Sequence, residues 1–444
     1  FPDRAPFYYL LAHGWLMIAD PANEALVRLP SALAGIAALP LIYCVGQALG
    51  GRAVGLLAAA LLAVSEFAIH QAQEARYYSF VLLFTLLAAW FALRARDRGR
   101  NTDFLLLTVA SVCLVATHYL TLFWLIALWL YLLLRRPWAR GAAGTARQWL
   151  IWQALTAVGL LPLPLLVALS IRRGRGAPIA WASSPEPWAP LRDAATYLIP
   201  PHAPAGAIAG AAFLALVLGV VGVVHWRRGA GAARHPLNTT ADTFWLLGFW
   251  VACPLLIPCA LSWLVTPFYV ARYTVPALPA VILLVATGLL ALRPLLPLPL
   301  TLLVLAVPIV PGLANYYASP SPEDWRAIAA RVAADSQPGD LLVFAPREGG
   351  SLQQMFDRYG RSRVDRCELD RSLPDDEAIT AALDTCIAGH RRVWVILRYN
   401  VDNNPWYAAN LARYFLVGEP PGLSRRDEEH LTPLHLLLFE RSAP

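Results

Sequence analysis

The sequence predicts a polytopic α-helical membrane protein followed by a small α/β domain. Of the 444 residues, 58% are hydrophobic and only 15% are charged, which is more apolar side chain than one soluble core of this length needs. We therefore expect the bilayer to solvate much of the chain. About ten apolar runs have roughly the length of a membrane-spanning helix. They are residues 28–48, 53–69, 79–93, 104–117, 120–134, 149–170, 206–224, 243–265, 274–292 and 296–314.

The character of the chain changes near residue 318, where charged residues become frequent. Strand-like and helical runs alternate from there on, a pattern typical of an α/β domain. We expect a membrane domain over residues 1–317 and a soluble domain over residues 318–444. The strand-like runs are 340–344, 393–397 and 434–439, and the helical runs are 322–335, 350–359, 376–389 and 405–416.

The arginines predict which side of the membrane each connection faces. Thirteen arginines lie in one set of alternate connections, chiefly at 94–100 and 135–147, and six lie in the other set. Cytoplasmic loops carry the excess of positive charge, so the second set faces outward. We expect a multi-pass protein of a bacterial inner membrane with an extracytoplasmic C-terminal domain. The segments expected outside are 1–27, 70–78, 118–119, 171–205, 266–273 and everything after 315.

The net charge of +7 does not point to nucleic acid as a partner. The chain has no RNA-binding, zinc-finger or basic-helix pattern, and its arginines lie mainly between apolar runs. Sixteen Trp and sixteen Tyr residues suit aromatic belts at the two membrane interfaces, or the packing of a large helical core. Membrane lipids are the partner that this composition favours.

The polar segment at residues 71–78 gives the strongest local signal for a site. It contains Gln73, Glu74, Arg76 and Tyr77 at the predicted outer surface. A partly buried carboxylate can act as a base or bind a hydroxyl, and a guanidinium group offers a planar fork to a phosphate. The structural alternative is a Glu–Arg pair that only anchors the interface. Ionisable groups at membrane depth favour function.

Three further polar clusters are expected on the same face. His118 and Tyr119 form an abrupt turn, where the histidine either lines a polar cavity or is a satisfied polar group. Arg272 and Tyr273 suit an anionic lipid head group or a pyrophosphate, or else anchor the interface. Asp3 precedes an aromatic stretch that is too short to span and is expected to lie along the surface; its carboxylate either contacts a sugar hydroxyl or is simply solvated.

These residues together resemble a known family, the polyprenyl-phosphate-sugar-dependent glycosyltransferases of the GT-C fold, in its bacterial protein-mannosyltransferase-like group. The resemblance extends over most of the chain and includes His118-Tyr119 and Arg272-Tyr273. Its main motifs are Asp3 with Pro6-Phe7-Tyr8-Tyr9-Leu10-Leu11, then Arg28-Leu29-Pro30-Ser31-Ala32-Leu33, then Gln73-Glu74-Ala75-Arg76-Tyr77-Tyr78.

The resemblance implies an inverting transfer of a sugar from a polyprenyl-phosphate donor to an extracytoplasmic glycan, lipid or protein. Arg76 and Arg272 would hold the leaving phosphate, and Glu74 would orient the acceptor or help a metal. A divalent metal ion stays open, because some members of the fold use one and others do not. The family places an acidic pair upstream, after a first membrane span and in the first outer loop, so we expect a preceding span and loop. Arg4 and Ala5 depart from the family pattern, and Asp3 only neighbours the expected position of the base.

Two other classes remain as alternatives. A transporter or lipid-linked-sugar flippase also has many spans and charges, but transporters usually bind at the midplane between inverted repeats, whereas these charges lie at helix ends. A membrane scaffold would explain the C-terminal domain but not the 73–76 motif. Cys367 and Cys386 are either a disulfide of an oxidising compartment or two unpaired thiols.

Overall fold

The computed structural model describes residues 5–21, 23–136, 138, 144–163, 184–199, 219, 240–265, 267–291, 297–318, 324–345, 351–360, 364–367, 376–398, 415, 420, 422–431 and 434–441. Contacts divide the chain into two compact units, Phe1–Tyr316 and Tyr317–Pro444. The two units are described separately.

Helices build the first unit, as the apolar runs predict. Two 3-10 segments, Tyr119–Thr121 and Ala271–Ala277, lead into the helices that follow them. The helices are α1 (Pro6–Leu16), α2 (Glu24–Gly50), α3 (Arg52–Ala63), α4 (Glu66–Gln73), α5 (Tyr78–Arg98), α6 (Asn101–Thr117), α7 (Leu122–Arg135), α8 (Ala146–Leu160), α9 (Ala189–Thr196), α10 (Thr240–Leu264), α11 (Leu278–Ala291) and α12 (Leu298–Ala318).

Four helical stretches among the described residues are long and apolar enough to cross a membrane: α2, α5, most of α10, and Ala271–Ala291. A fifth is added if α3 and α4 form one broken span. The helical membrane class is thus confirmed, whereas the count of ten spans stays a prediction. The predicted span at 206–224 lies almost wholly outside the described residues.

The prediction of one continuous apolar span at residues 53–69 is wrong in one respect. The structure bends by 59° between α3 and α4, because Ser65 leaves the helical conformation and its hydroxyl accepts a hydrogen bond from the Ala68 amide at 3.3 Å. Such a cap starts a new helix. Since α4 continues to Gln73, the polar connection to α5 is shorter than expected and comprises only residues 74–77.

In the core of the first unit, helix α5 packs between α2 and α6. Leu86, Leu107 and Leu114 are fully buried in this core, where close van der Waals packing holds helices together inside a membrane. A salt bridge of 2.7 Å joins Arg94 Nε to Asp103 Oδ1 near the last turn of α5. Tyr78, the first residue of α5, is buried in the same core, so the start of the helix is also held by this packing.

The second unit is a five-stranded mixed sheet in the order β2-β1-β3-β5-β4. Strands β2, β1 and β3 are parallel, and β5 and β4 pair antiparallel at the other side. Helices α13 and α14 cover one face of the sheet and α15 covers the other. The elements are α13 (Trp325–Asp335), β1 (Leu341–Ala345), α14 (Ser351–Tyr359), β2 (Asp365–Cys367), α15 (Asp376–Ile387), β3 (Arg392–Arg398), β4 (Leu423–Leu431) and β5 (Leu434–Arg441).

The three strand-like runs are confirmed as β1, β3 and β5, and the sequence misses both edge strands. β2 has only three residues, and β4 contains the run Arg425-Arg426-Asp427-Glu428-Glu429. Edge strands of natural sheets are often short or charged, so their sequences lack the apolar pattern of a strand. The predicted helix at 405–416 lies outside the described residues, apart from Phe415.

A disulfide joins β2 to α15. Cys367 ends β2, Cys386 lies in the last turn of α15, and their Cα atoms are 5.9 Å apart, within the range that a bridge requires. The structure therefore favours the bridge over two unpaired thiols.

Candidate active site

The connection between α4 and α5 carries the strongest predicted motif and has a defined conformation. Helix α4 ends at Gln73 because Glu74 adopts an extended backbone. The hydroxyl of Ser31 on α2 donates a hydrogen bond to the carbonyl oxygen of Arg76 at 3.0 Å. The backbone that carries Glu74 and Arg76 is therefore attached to a spanning helix.

The charged side chains of this connection form weak pairs with one another. Glu74 Oε2 lies 3.7 Å from Arg76 Nε, and Glu74 Oε1 lies 3.6 Å from His70 Nε2. The Arg76 side chain is 47% exposed, and a pair of this kind contributes about 0–1 kcal/mol. A bound anion can replace Glu74 at Arg76 with little loss of stability.

Four aromatic rings from separate parts of the chain lie in a row beside this connection. The ring of Tyr77 is 5.0 Å from that of His118, and the ring of His118 is 4.8 Å from that of Tyr273. On the other side, the ring of Tyr8 on α1 is 6.3 Å from that of Tyr77. We call Tyr8, Tyr77, His118 and Tyr273 the aromatic row. It brings together segments that the sequence predicts only to share one face of the membrane.

Two guanidinium groups flank this row. The Cζ atom of Arg272 lies 5.8 Å from the centre of the Tyr273 ring. Arg76 directly precedes Tyr77, whose hydroxyl lies 3.3 Å from the hydroxyl of Tyr78. Cations from two distant segments are thus linked by the ring contacts from Tyr77 through His118 to Tyr273.

His118 is uncharged at neutral pH in this setting. It follows α6 in an extended conformation, and Thr121 donates a hydrogen bond to its carbonyl oxygen at 2.7 Å. Removal of the imidazole from water, together with the charge of Arg272, lowers the pKa of His118 to about 4. A neutral imidazole has one donor and one acceptor nitrogen, so His118 can bind a hydroxyl group either as hydrogen-bond donor or as acceptor.

The remaining predicted residues have different surroundings. Gln73 is exposed, and its Oε1 atom accepts a hydrogen bond of 2.7 Å from the hydroxyl of Tyr316 at the end of α12. Tyr119 packs against the main apolar core. Asp3 lies outside the described residues.

Tyr8 appears in the sequence only as part of the family motif at residues 6–11, and no motif indicates that His70 and Tyr316 belong to this site. The Tyr316 hydroxyl lies 3.4 Å from His70 Nδ1 as well as bonding to Gln73. An aromatic pair at the end of an apolar run is also what an interfacial belt requires, so the run ending in Tyr316 indicates only a membrane boundary. The contact with Gln73 depends on how distant helices pack.

The described residues contain no group of three His, Cys, Asp or Glu side chains placed to hold a metal ion. Glu74 and His70 supply two side chains of the right type, which is fewer than the three protein ligands typical of a catalytic zinc site. We derive no step through a metal ion.

Comparisons with known proteins agree with this geometry. A family model described as dolichyl-phosphate-mannose-protein mannosyltransferase matches residues 3–167. The apo crystal structure of ArnT from Cupriavidus metallidurans is similar over 99% of this chain and 88% of that one, with 13% identity and a TM-score of 0.55. At that identity the likeness shows the fold alone.

A weaker likeness is found to the oligosaccharyltransferase of Archaeoglobus fulgidus, whose structure contains zinc and sulfate. It covers 89% of this chain and 60% of that one, with 11% identity and a TM-score of 0.45, too low to carry an argument. A search of curated proteins finds no match. The predicted resemblance is nevertheless confirmed: residues 3–167 match the protein mannosyltransferase family, and the chain has the fold of the GT-C membrane glycosyltransferases.

Proposed function

We propose that this protein transfers a sugar from a polyprenyl-phosphate carrier to an acceptor on the extracytoplasmic side of the membrane. The observation that carries the proposal is the series of ring contacts from Tyr77 through His118 to Tyr273, which brings the segment of Arg76 beside the segment of Arg272. Guanidinium groups bind phosphate oxygens through a planar fork of donors. The description of the matched family names a donor of this class, dolichyl-phosphate-mannose.

The lipid phosphate is the leaving group of the proposed reaction. An acceptor oxygen bonds to the anomeric carbon, the bond from that carbon to the phosphate oxygen breaks, and the phosphate leaves with the electron pair. A single displacement of this kind inverts the anomeric carbon. Arg76 and Arg272 stabilise the charge that develops on the phosphate, and fixed donors in such positions are worth about 3–4 kcal/mol each.

The other proposed roles follow from the chemistry of the side chains. Tyr77, His118, Tyr119 and Tyr273 bind the substrates, because aromatic rings combine an apolar face with a polar edge or hydroxyl, and Gln73 adds an amide. Asp3 and Glu74 are the carboxylates that we propose for orienting the acceptor and taking its proton.

The extracytoplasmic location rests on two independent arguments. The distribution of arginines between the two sets of connections favours an extracytoplasmic location for residues 73–76. The disulfide between Cys367 and Cys386 favours an oxidising compartment for the C-terminal unit. A bacterial inner membrane is the location that both arguments suit.

Replacement of either arginine tests the proposed function. We expect Arg76→Ala and Arg272→Ala each to lower transfer from a polyprenyl-phosphate-linked sugar by about 100-fold to 1000-fold, with membrane expression near that of the unchanged protein. Arg→Lys should restore little activity, since an ammonium group lacks the fork geometry.

Arg52→Ala is the matched control. Arg52 is an exposed arginine at the start of α3, in a connection that the arginine census assigns to the opposite face. We expect its transfer activity to equal that of the unchanged protein. Full activity in both Arg76→Ala and Arg272→Ala would reduce the two residues to interfacial anchors and would remove the basis of the proposal.

A further inference from the structure

Tyr197 connects the segment that carries Arg76 with the segment that carries Arg272. It follows α9 and is completely buried. Its hydroxyl donates a hydrogen bond to the carbonyl oxygen of Thr274 at 2.7 Å and also contacts the Thr274 hydroxyl. Its own carbonyl oxygen accepts a hydrogen bond of 2.6 Å from the hydroxyl of Ser65. One residue thus bonds to α4 through its backbone and to the 3-10 segment before α11 through its side chain.

The contact with α4 reaches the segment that carries Arg76. Ser65 caps α4, and α4 leads without a break into residues 74–77. The ring of Phe67 on the first turn of α4 lies 5.0 Å from the ring of Tyr197. The start of α4 is therefore held by Tyr197 through both a hydrogen bond and a ring contact.

The contact with Thr274 reaches the segment that carries Arg272. The Thr274 hydroxyl donates a hydrogen bond to the carbonyl oxygen of Ala271 at 2.6 Å, which closes the backbone around Arg272. At the start of α9, Ala189 lies in one buried apolar cluster with Tyr269. Helix α9 and the residue after it thus contact this segment on both sides of Arg272.

We infer that Tyr197 is a positioning residue that fixes the Arg76 segment relative to the Arg272 segment, so that both guanidinium groups meet one phosphate. The inference rests on the proposed function. Arg76 is itself about half exposed and pairs only weakly with Glu74, so its placement depends on the backbone beneath it. Displacement of a binding group by about 1 Å is enough to weaken catalysis strongly.

Tyr197→Phe tests this role because it removes the hydroxyl and keeps the ring. Binding of a polyprenyl phosphate to the purified full-length protein in detergent is the readout. We expect the Kd to rise about fivefold to tenfold, the effect of losing one hydrogen bond to a buried carbonyl group. In an Arg272→Ala background the same change should add nothing further, because residues that act through one another are not additive.

Three further variants separate positioning from general stability. Tyr131→Phe removes the hydroxyl of another buried tyrosine, which lies near the last turn of α7, and should leave the Kd unchanged. Ser65→Ala removes the link on the α4 side and should raise the Kd as Tyr197→Phe does, whereas Ser65→Thr retains the hydroxyl and should restore binding.

The possible outcomes are distinct. If Tyr197→Phe lowers the melting temperature but leaves the Kd unchanged, or if its effect persists in full in the Arg272→Ala background, the positioning role is wrong while the proposed function stands. If the unchanged protein fails to bind polyprenyl phosphate at all, the proposed function and this inference both fail.

Discussion

The imidazole of His118 lies 4.8 Å from the ring of Tyr273, so the turn that ends α6 meets the segment that precedes α11. Arg272 lies next to Tyr273 in the sequence, and its charge disfavours a second charge on His118. The site therefore contains fixed guanidinium cations beside a histidine that stays neutral. This arrangement suits an anionic ligand that is bound by arginine and a hydroxyl ligand that is bound by imidazole.

The low pKa of His118 predicts how stability depends on pH. The folded protein protonates His118 only near pH 4, whereas the ordinary pKa of 6.5 applies after unfolding. The unfolded state thus takes up the proton first as the pH falls. The contribution of His118 to stability is complete above pH 6.5 and is lost progressively between pH 6.5 and pH 4.

His118→Gln checks this dependence, because glutamine does not titrate. Thermal unfolding in detergent at pH 7.5 and pH 4.5 should show a smaller loss of melting temperature for the variant than for the unchanged protein. Equal losses in the two proteins would mean that His118 is protonated normally and is exposed to water.

Reduction of the disulfide should destabilise the C-terminal unit. A bridge that closes a loop of about this length contributes roughly 3 kcal/mol in the chain-entropy model. We expect Cys367→Ser and treatment with reductant each to lower the melting temperature of a purified fragment covering residues 318–444, if that fragment folds, and of the full-length protein otherwise.

Alkylation provides the chemical check on the bridge. Without reductant, an alkylating agent applied to the denatured protein should modify Cys44, Cys113, Cys253 and Cys259, which are free thiols. Cys367 and Cys386 should react only after reduction. Modification of these two residues without reductant would contradict both the bridge and the oxidising compartment.

The orientation is tested by reporter fusions. A reporter that is active only in the periplasm should give a signal when fused after residue 320 and none when fused after Arg98, because the arginine census assigns the two points to opposite faces. The reverse pattern would mean that the protein has the opposite orientation in the membrane and that the candidate site faces the cytoplasm.

Patterns that depend on local sequence predict much of the fold. Apolar length predicts α2, α5 and α10 to within a few residues, and short apolar runs predict β1, β3 and β5. The bend at Ser65 was missed, because a single serine in an apolar run does not reveal that its hydroxyl caps a new helix. The strands β2 and β4 were missed because edge strands need no apolar pattern.

The site could be predicted only in part for a related reason. Residues 73–77 form a polar motif within an apolar chain, so they can be recognised from sequence alone. Tyr316 and Tyr197 have no such motif, and their importance arises from hydrogen bonds to Gln73 and Thr274, which are distant in the sequence. Contacts of this kind are determined by helix packing and not by local composition.

The proposed function is tested most directly by asking which sugar donor the protein uses. The purified full-length protein is incubated with an extracytoplasmic acceptor fraction and either a polyprenyl-phosphate-linked mannose or the corresponding nucleotide sugar, and the release of polyprenyl phosphate or nucleotide is measured. We predict release of polyprenyl phosphate with equal transfer of sugar to the acceptor, and no turnover of the nucleotide sugar. Turnover of the nucleotide sugar, or movement of an intact lipid-linked sugar across a vesicle membrane without cleavage, would contradict the account.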